Sequence, residues 1–187
     1  YLLATKDKGL IFSPTNSLKI DCYVDADFAG MWCDKISEQP FSVKSRTGFV
    51  ILFANCPVLW SSKLQTEIAL GTTEAEYIAL SQAMRDLIPM RTLLTELGTL
   101  TKFTFGDTIT HSTVFEDNKG CVELANAPKM RPRTKHIALK YHHFREHVKR
   151  GLVKIFPIDT KEQLADQFTK GLDQQTFEYL RKLTIGW

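Results

Sequence analysis

The segment LKIDCYVDADFAG, residues 18–30, alternates apolar and polar side chains with a period of two. Every second residue from Leu18 to Phe28 is apolar, and the residues between them include the carboxylates Asp21, Asp25 and Asp27. This period is typical of a half-buried β-strand. Asp is depleted in strands, so Asp25 and Asp27, if partly buried, need a cation or a raised pKa. The alternative is a solvated strand end and turn, and only partners elsewhere in the chain decide between the two.

Length and composition predict one globular domain with a sizeable core. The chain has 187 residues, of which 43% are hydrophobic, and its charges are mixed, which excludes the disordered class. No apolar run approaches the roughly 18 residues of a membrane span, and we expect no signal peptide. The four cysteines form no C-x-x-C pair, so we interpret them as reduced thiols. We therefore expect an intracellular protein with no membrane partner.

Positive charge is concentrated in residues 127–154. This segment holds nine of the 24 lysines and arginines but only one of the 21 acidic residues, Glu146. Its net charge is +8 and the rest of the chain carries −5, which together give the overall +3. A basic segment on a weakly charged domain indicates a polyanionic partner. A well-solvated surface helix is the alternative.

Periodicity and turn residues predict the element order βββαβααβα. Strands are expected at residues 18–30, 47–54, 58–63, 111–116 and 152–158. Helices are expected at residues 73–97, 118–126, 136–150 and 161–170, with a last helix at 173–183. Pro89 is expected to kink or divide the first helix. Three consecutive strands predict an antiparallel meander, and helix-separated later strands predict parallel pairing and helices on both faces of a mixed sheet.

Glu76 lies in the first turn of the first long helix, on the stripe that is expected to face the core. It shares this stripe with Ala79, Leu80 and Leu87. A buried glutamate there requires an explanation. A capping box, Thr73-x-x-Glu76, is one alternative to a functional role.

Two further carboxylates lie at the ends of later elements. Asp117 follows the fourth strand, where it or Asn118 would cap the next helix if it had no other role. Asp166 lies in the helix after the fifth strand, where an i,i+4 pair with Lys170 is the simpler interpretation. Together with Asp25 and Glu76, however, they lie where open α/β sheets place their sites. Four clustered carboxylates suit two hard divalent cations about 4 Å apart, the arrangement used for phosphodiester cleavage.

Six stretches together resemble one known family. They are YVDADFAG (23–30), SRTGFV (45–50), TTEAEYIAL (72–80), EDNKG (116–120), RTKHIALKYHHFRE (133–146) and QLADQFTKGL (163–172). In this order they are similar to the ribonuclease H domain at the C-terminal end of copia-type LTR-retrotransposon polyproteins. The resemblance implies an α/β, ribonuclease H-like fold with a five-stranded mixed sheet. It also implies hydrolysis of the RNA strand of RNA–DNA hybrids with two Mg²⁺ ions, for which Mn²⁺ substitutes.

The resemblance also assigns roles to individual residues. The catalytic and metal-binding carboxylates would be Asp25, Glu76, Asp117 and Asp166, with Asp25 bridging both ions. Thr72 and Thr73 match positions that contact the RNA strand. The basic residues expected to bind nucleic acid are Arg133, Lys135, His136, Lys140, Arg145, Lys149 and Arg150, although a purely structural role for His136 is the alternative. Gly71 replaces the family's usual serine, and the loop at residues 157–163 lacks the histidine of cellular relatives.

The family context predicts the organisation and setting of the chain. Residues 1–17 would be the remnant of a connection to a reverse transcriptase domain of the same polyprotein, residues 18–172 the ribonuclease H-like domain, and residues 173–187 a helical tail. The protein would act in a cytoplasmic virus-like particle or in the nucleus. Two rival interpretations remain. One is a non-cleaving nucleic-acid-binding domain that supports a neighbouring polymerase. The other is a nuclease of the same fold that acts on DNA, such as a transposase or integrase.

Overall fold

A five-stranded mixed sheet forms the centre of the computed structural model, which describes residues 2–36, 38–101, 111–128, 137 and 139–187. The strands are β1 (Ile20–Asp27), β2 (Arg46–Phe53), β3 (Cys56–Leu64), β4 (Ser112–Glu116) and β5 (Val153–Pro157). Their order across the sheet is β3-β2-β1-β4-β5. β1 and β3 pair antiparallel with β2, whereas β4 pairs parallel with β1 and β5. The predicted mixed sheet is confirmed.

Helices cover both faces of this sheet. They are α1 (Thr72–Thr101), α2 (Lys119–Asn126), α3 (Arg145–Lys149) and α4 (Gln174–Ile185). The alternation in β1 places Cys22 and Val24 in the main core with α1. Tyr23 packs on the opposite face, in a smaller core that includes Leu180 of α4. The strand is shorter than the expected 18–30, and Phe28 is 45% exposed because β1 ends at Asp27 and the alternation ends with it.

Of the predicted kink or division at Pro89, the division does not occur, because α1 runs without a break through this residue. Proline removes one backbone hydrogen bond from a helix interior and clashes with the preceding turn. In the N-terminal half of α1, the side chains of Tyr77, Leu80 and Leu87 are fully buried in the core beside the sheet. This packing stabilises the helix beyond what its local sequence preference provides. No helix in the described part of the chain is long and apolar enough to cross a lipid bilayer.

The long basic helix predicted for residues 136–150 is absent from the described residues of that range. The chain forms a 3₁₀ turn at Leu139–His142, and α3 is only five residues long. Tyr141, His142 and Phe144 are all buried, and the Tyr77 hydroxyl lies 2.7 Å from His142 Nδ1. Buried residues at adjacent positions do not fit one stripe of a regular helix. Packing of these rings against α1 therefore favours an irregular segment.

The prediction of a helix at residues 161–170 is also wrong. Two 3₁₀ turns, Thr160–Glu162 and Leu164–Phe168, replace it. Gln163 separates the turns and is fully buried, and its Nε2 donates to the carbonyl of Val24 at 2.9 Å. Its Oε1 accepts from the backbone amide of Ala165 at 3.3 Å. The segment is thus shaped by contacts to the sheet and not by its own helical hydrogen bonds.

Candidate metal centre

The candidate site lies where β1 and β4 separate at their C-terminal ends. The parallel ladder between these strands ends at the pair Tyr23–Phe115. Gln163 reaches across this opening to the carbonyls of Val24 and, at 3.5 Å, Phe115. The opening between adjacent parallel strands is where open α/β sheets place their sites. Asp25 follows on β1 beyond the last ladder pair and is only 2% exposed.

The Leu164–Phe168 turn brings the two residues that follow it, Thr169 and Lys170, into contact with Asp25. The Thr169 hydroxyl donates to Asp25 Oδ2. Lys170 Nζ lies 2.9 Å from Asp166 Oδ1 and 3.7 Å from Asp25 Oδ2. The predicted i,i+4 pair between Asp166 and Lys170 is therefore present. It does not compete with a site role for Asp166, because the lysine joins both aspartates.

Gly48 makes this close approach geometrically feasible. It pairs with Asp25 across the β1–β2 ladder. A Cβ atom at residue 48 would lie 2.6 Å from Thr169 Cγ2 and 3.1 Å from the Ala165 carbonyl oxygen. Any side chain at this position would thus push the turn away from the sheet. An isolated glycine in an apolar strand is a signal for such an approach, but the sequence does not say which segment approaches.

Glu76 is buried, but it does not have the helix-capping role that would be the simpler explanation of its position. Its side chain is 6% exposed and Oε2 has no hydrogen-bond partner among the described residues. The capping box is absent, because α1 begins at Thr72 and Thr73 therefore lies inside the helix, where its hydroxyl donates to Asn118 Oδ1 at 3.3 Å. Glu74 instead accepts a hydrogen bond from the backbone amide of Leu70 at 2.8 Å. The position of Glu76 therefore remains unexplained by helix capping.

Asp117 is likewise not the cap of the following helix. The N-cap of α2 is Asn118, whose side chain accepts from the backbone amide of Cys121 at 2.9 Å. Asp117 Oδ2 accepts a hydrogen bond from the Thr160 hydroxyl at 2.8 Å. Its carboxylate is half-buried and thus available at the opening between β1 and β4.

The four predicted carboxylates converge, and a fifth joins them. Ligand oxygens of Asp25, Asp117 and Asp166 all lie within 4.8 Å of one another. Those of Glu76, Glu116 and Asp117 form a second such group, so that Asp117 is common to both. Sequence reasoning missed Glu116. The alternation Ser112, Val114, Glu116 would have placed it on the buried face of β4.

These residues fit hard divalent cations. Every donor is a carboxylate oxygen, the ligand type of Mg²⁺, Mn²⁺ and Ca²⁺. Oxygens on opposite sides of a Mg²⁺ ion lie about 4.2 Å apart, since each bond is about 2.1 Å long. Small side-chain shifts would bring either group to that spacing. The buried Oε2 atoms of Glu76 and Glu116, which have no hydrogen-bond partner among the described residues, are suitable free donors.

Burial dominates the electrostatics of the site. It raises the pKa of Asp25, Glu76 and Glu116 because an ionised carboxylate is poorly solvated inside the protein. Repulsion adds to this, and for Glu76 the largest repulsive neighbour is Glu116. Burial also raises the pKa of Asp166, which Lys170 partly opposes. A bound cation would remove much of this penalty.

We predict that the metal-free domain loses stability as pH rises. The unfolded carboxyls titrate near 3.8 for Asp and 4.5 for Glu, and the folded values are higher. The folded state therefore holds more protons, so this contribution is complete below about pH 4 and declines above it. In EDTA the melting temperature should be lower at about pH 8.5 than at about pH 5.5, and Mg²⁺ should reduce the difference. A metal-free melting temperature that rises over this interval would contradict the prediction.

The predicted nucleic-acid-binding residues are only partly described. Thr72 is exposed and Thr73 half-buried at the start of α1, beside the carboxylates, and Lys149 and Arg150 are exposed at the end of α3. Arg145 donates to the carbonyls of Leu124, at 3.2 Å, and Ala127. Arg133, Lys135 and His136 lie outside the described residues, as does the side chain of Lys140.

Comparison with solved structures defines the class of the fold. An RNase H1 isolated from compost, LC11-RNase H1, matches with a TM-score of 0.52 at 20% identity, covering 81% of this chain and 93% of that one. The N-terminal RNase H domain of a Mycobacterium tuberculosis protein also matches with a TM-score of 0.52, at 15% identity, covering 89% and 98%. The chain therefore has the ribonuclease H fold.

Comparison of sequences identifies the relatives of this chain more narrowly than comparison of folds does. The chain is 34% identical over 187 residues to the retrovirus-related Pol polyprotein from transposon RE2 of Arabidopsis thaliana. It is 33% identical over 183 residues to that from transposon TNT 1-94 of Nicotiana tabacum. These matches cover 99% and 98% of this chain but only 12% of each relative. No family model matches the chain. Its homologues are thus retrovirus-related Pol polyproteins of copia-type transposons, and the resemblance in sequence motifs is confirmed.

Proposed function

We propose that this chain is a metal-dependent endonuclease that hydrolyses the RNA strand of RNA–DNA hybrids during reverse transcription of a retrotransposon. The observation that carries the proposal is the convergence of Asp25, Glu76, Asp117 and Asp166 at the opening between two parallel strands of a ribonuclease H fold. The homologous Pol polyproteins support the retrotransposon setting and a reverse transcriptase domain in the same polypeptide as partner.

The two groups of oxygens support two cation positions. Asp25, Asp117 and Asp166 would hold one ion, and Glu76 with Asp117 would hold the other. This geometry favours Asp117 as the shared ligand, whereas the family resemblance assigns the bridging role to Asp25. When bound, Mg²⁺ ions supply an activated water and stabilise the charge that develops on the leaving oxygen.

The remaining contacts hold the carboxylates in place. The Thr169 hydroxyl fixes Oδ2 of Asp25, and the Thr160 hydroxyl fixes Oδ2 of Asp117. Lys170 neutralises part of the charge of Asp25 and Asp166. Orientation of this kind reduces the reorganisation that the site must undergo when substrate binds. Thr72, which is exposed at the start of α1, would contact the substrate strand.

A cleavage assay tests the proposal and separates it from its rivals. Uniformly labelled RNA–DNA hybrid and duplex DNA are incubated with the domain in Mg²⁺, with Mn²⁺ in parallel, and then with EDTA. We expect cleavage of the RNA strand of the hybrid only, and none in EDTA. Cleavage of duplex DNA would favour a transposase-like nuclease, and hybrid binding without any cleavage would favour a non-cleaving domain.

We predict that Lys149 and Arg150 contribute to hybrid affinity. Changing both to Ala removes at most two phosphate contacts, so affinity should fall equally for all sequences and the salt slope should shrink by up to about 2 units. Fluorescence anisotropy at several salt concentrations measures both quantities. Lys182→Ala on the exposed side of α4, which packs on the other face of the sheet, is the matched control. Unchanged affinity and slope in the double variant would indicate a merely solvated helix end.

A further inference from the structure

Glu116 is the fifth carboxylate of the centre, and neither the sequence motifs nor the proposed function gives it a role. It is the last residue of β4 and its side chain is fully buried. Oε1 accepts a hydrogen bond from the backbone amide of Asn118 at 3.0 Å. Oε2 has no hydrogen-bond partner in the described ranges, and the nearby Cys121 thiol is only a weak donor.

The two oxygen groups differ in how their charge is balanced. Lys170 forms ion pairs with Asp25 and Asp166 in one group. In the other, no lysine, arginine or histidine of the described residues forms an ion pair with Glu76 or Glu116. Buried carboxylates without a cationic partner are strongly disfavoured, so such a pair requires either a shared proton or a bound cation.

The positions of the three carboxylates favour a cation. Side chains of neighbouring residues on a strand point to opposite faces. Because β4 ends at Glu116, Asp117 is outside the strand, and its side chain need not point away from that of Glu116. Oxygens of Glu76, Glu116 and Asp117 consequently meet within 4.8 Å. Glu76 and Glu116 each also have a buried Oε2 atom with no hydrogen-bond partner among the described residues. Three elements, α1, β4 and the turn after β4, thus supply one oxygen each.

We propose that Glu116 is a direct ligand of the cation held by Glu76 and Asp117, which gives that position three carboxylates. The inference rests on the proposed function only for the reaction that the cation serves. Three carboxylates attract a divalent ion more strongly than two, since ligand charge count sets much of the affinity. The other position also has three carboxylates, but Lys170 offsets part of their charge, so the position with Glu116 would fill at a lower Mg²⁺ or Mn²⁺ concentration.

A Mn²⁺ titration of the metal-free domain tests whether Glu116 serves this ion. Calorimetry or electron paramagnetic resonance should show two ions bound to the wild type. Glu116→Gln should weaken the tighter ion by at least about tenfold and leave the weaker one unchanged. Asp166→Asn should do the reverse. Glu123→Gln, an exposed glutamate on α2, is the matched control and should change neither. Two ions bound to Glu116→Gln with wild-type affinities would overturn the proposal.

A second measurement does not depend on the folding of any variant and separates a direct ligand from a residue that acts through Glu76. Wild-type crystals soaked in Mn²⁺ should show an anomalous peak within about 2.5 Å of a Glu116 oxygen. A peak bound by Glu76 and Asp117 but more than about 3.5 Å from Glu116 would overturn direct ligation. If the wild type binds two ions in this way but leaves hybrids intact, only the proposed nuclease function fails. If it cleaves hybrids while Glu116 stays unbound, only this inference fails.

Discussion

Asp117→Asn is expected to reduce hybrid cleavage by roughly a thousandfold or more. Asp117 contributes oxygens to both groups of the centre, so its charge acts on both cation positions. Removing that charge should cost several kcal/mol of transition-state stabilisation. Single-turnover cleavage of a labelled hybrid at saturating enzyme measures the loss.

The fold should survive this substitution. Asn118, and not Asp117, caps α2, and an asparagine at 117 still offers an oxygen to the Thr160 hydroxyl. Circular dichroism and the melting temperature in EDTA check this point. Asp159→Asn is the matched control, because Asp159 is an exposed aspartate that caps the Thr160–Glu162 turn. Cleavage by the Asp117 variant within about tenfold of wild type would exclude a central metal role.

Glu76→Gln is expected to be inactive yet as stable as the wild type, or more stable, in EDTA. The amide lacks the charge that binds Mg²⁺, so activity should be lost. The same change relieves repulsion from Glu116 and still allows a hydrogen bond from the backbone of Ala26. Loss of a structural glutamate would instead lower the melting temperature. Cleavage rate and melting temperature, measured together, separate the two roles.

Glu74→Gln is the natural control for Glu76, two residues away in the same turn of α1. Glu74 accepts from the backbone amide of Leu70, outside the carboxylate groups. Its substitution should leave cleavage intact. An active Glu76 variant would exclude a metal role for that residue, and a destabilised inactive one would show that it also supports the helix start.

The local sequence predicted those features of the fold that depend on residues close together in the chain, such as strand alternation and the order of elements. The period of two in β1 correctly separated Cys22 and Val24 from Tyr23, and the order of elements led to the observed sheet. The motifs around the four carboxylates correctly predicted that they would meet. Glu116 was not predicted, although the period of two in β4 places it on the same buried face as Ser112 and Val114.

Features that depend on distant contacts could not be predicted in this way. The helix predicted at residues 161–170 does not form because Gln163 hydrogen-bonds to the sheet. The one predicted at residues 136–150 is absent from the described residues because aromatic rings pack on α1. Pro89 did not divide α1, since tertiary packing overrides local preference. Lys170 was assigned correctly to Asp166, but only the folded chain shows that Asp25 completes the contact.

Gly48, which has no side chain and so lets Thr169 approach the sheet, has a consequence for the order in which contacts form during folding. Asp25 and Thr169 meet there across 144 residues of sequence, so the contact closes most of the 187-residue chain into a loop. Contacts of such long separation form late, because the entropy of closing the loop must be overcome first. While a ribosome is still translating the last part of the domain, β1, β2 and α1 are already synthesised but Asp166 is not. A nascent chain therefore cannot complete its carboxylate set, whatever the Mg²⁺ concentration around it.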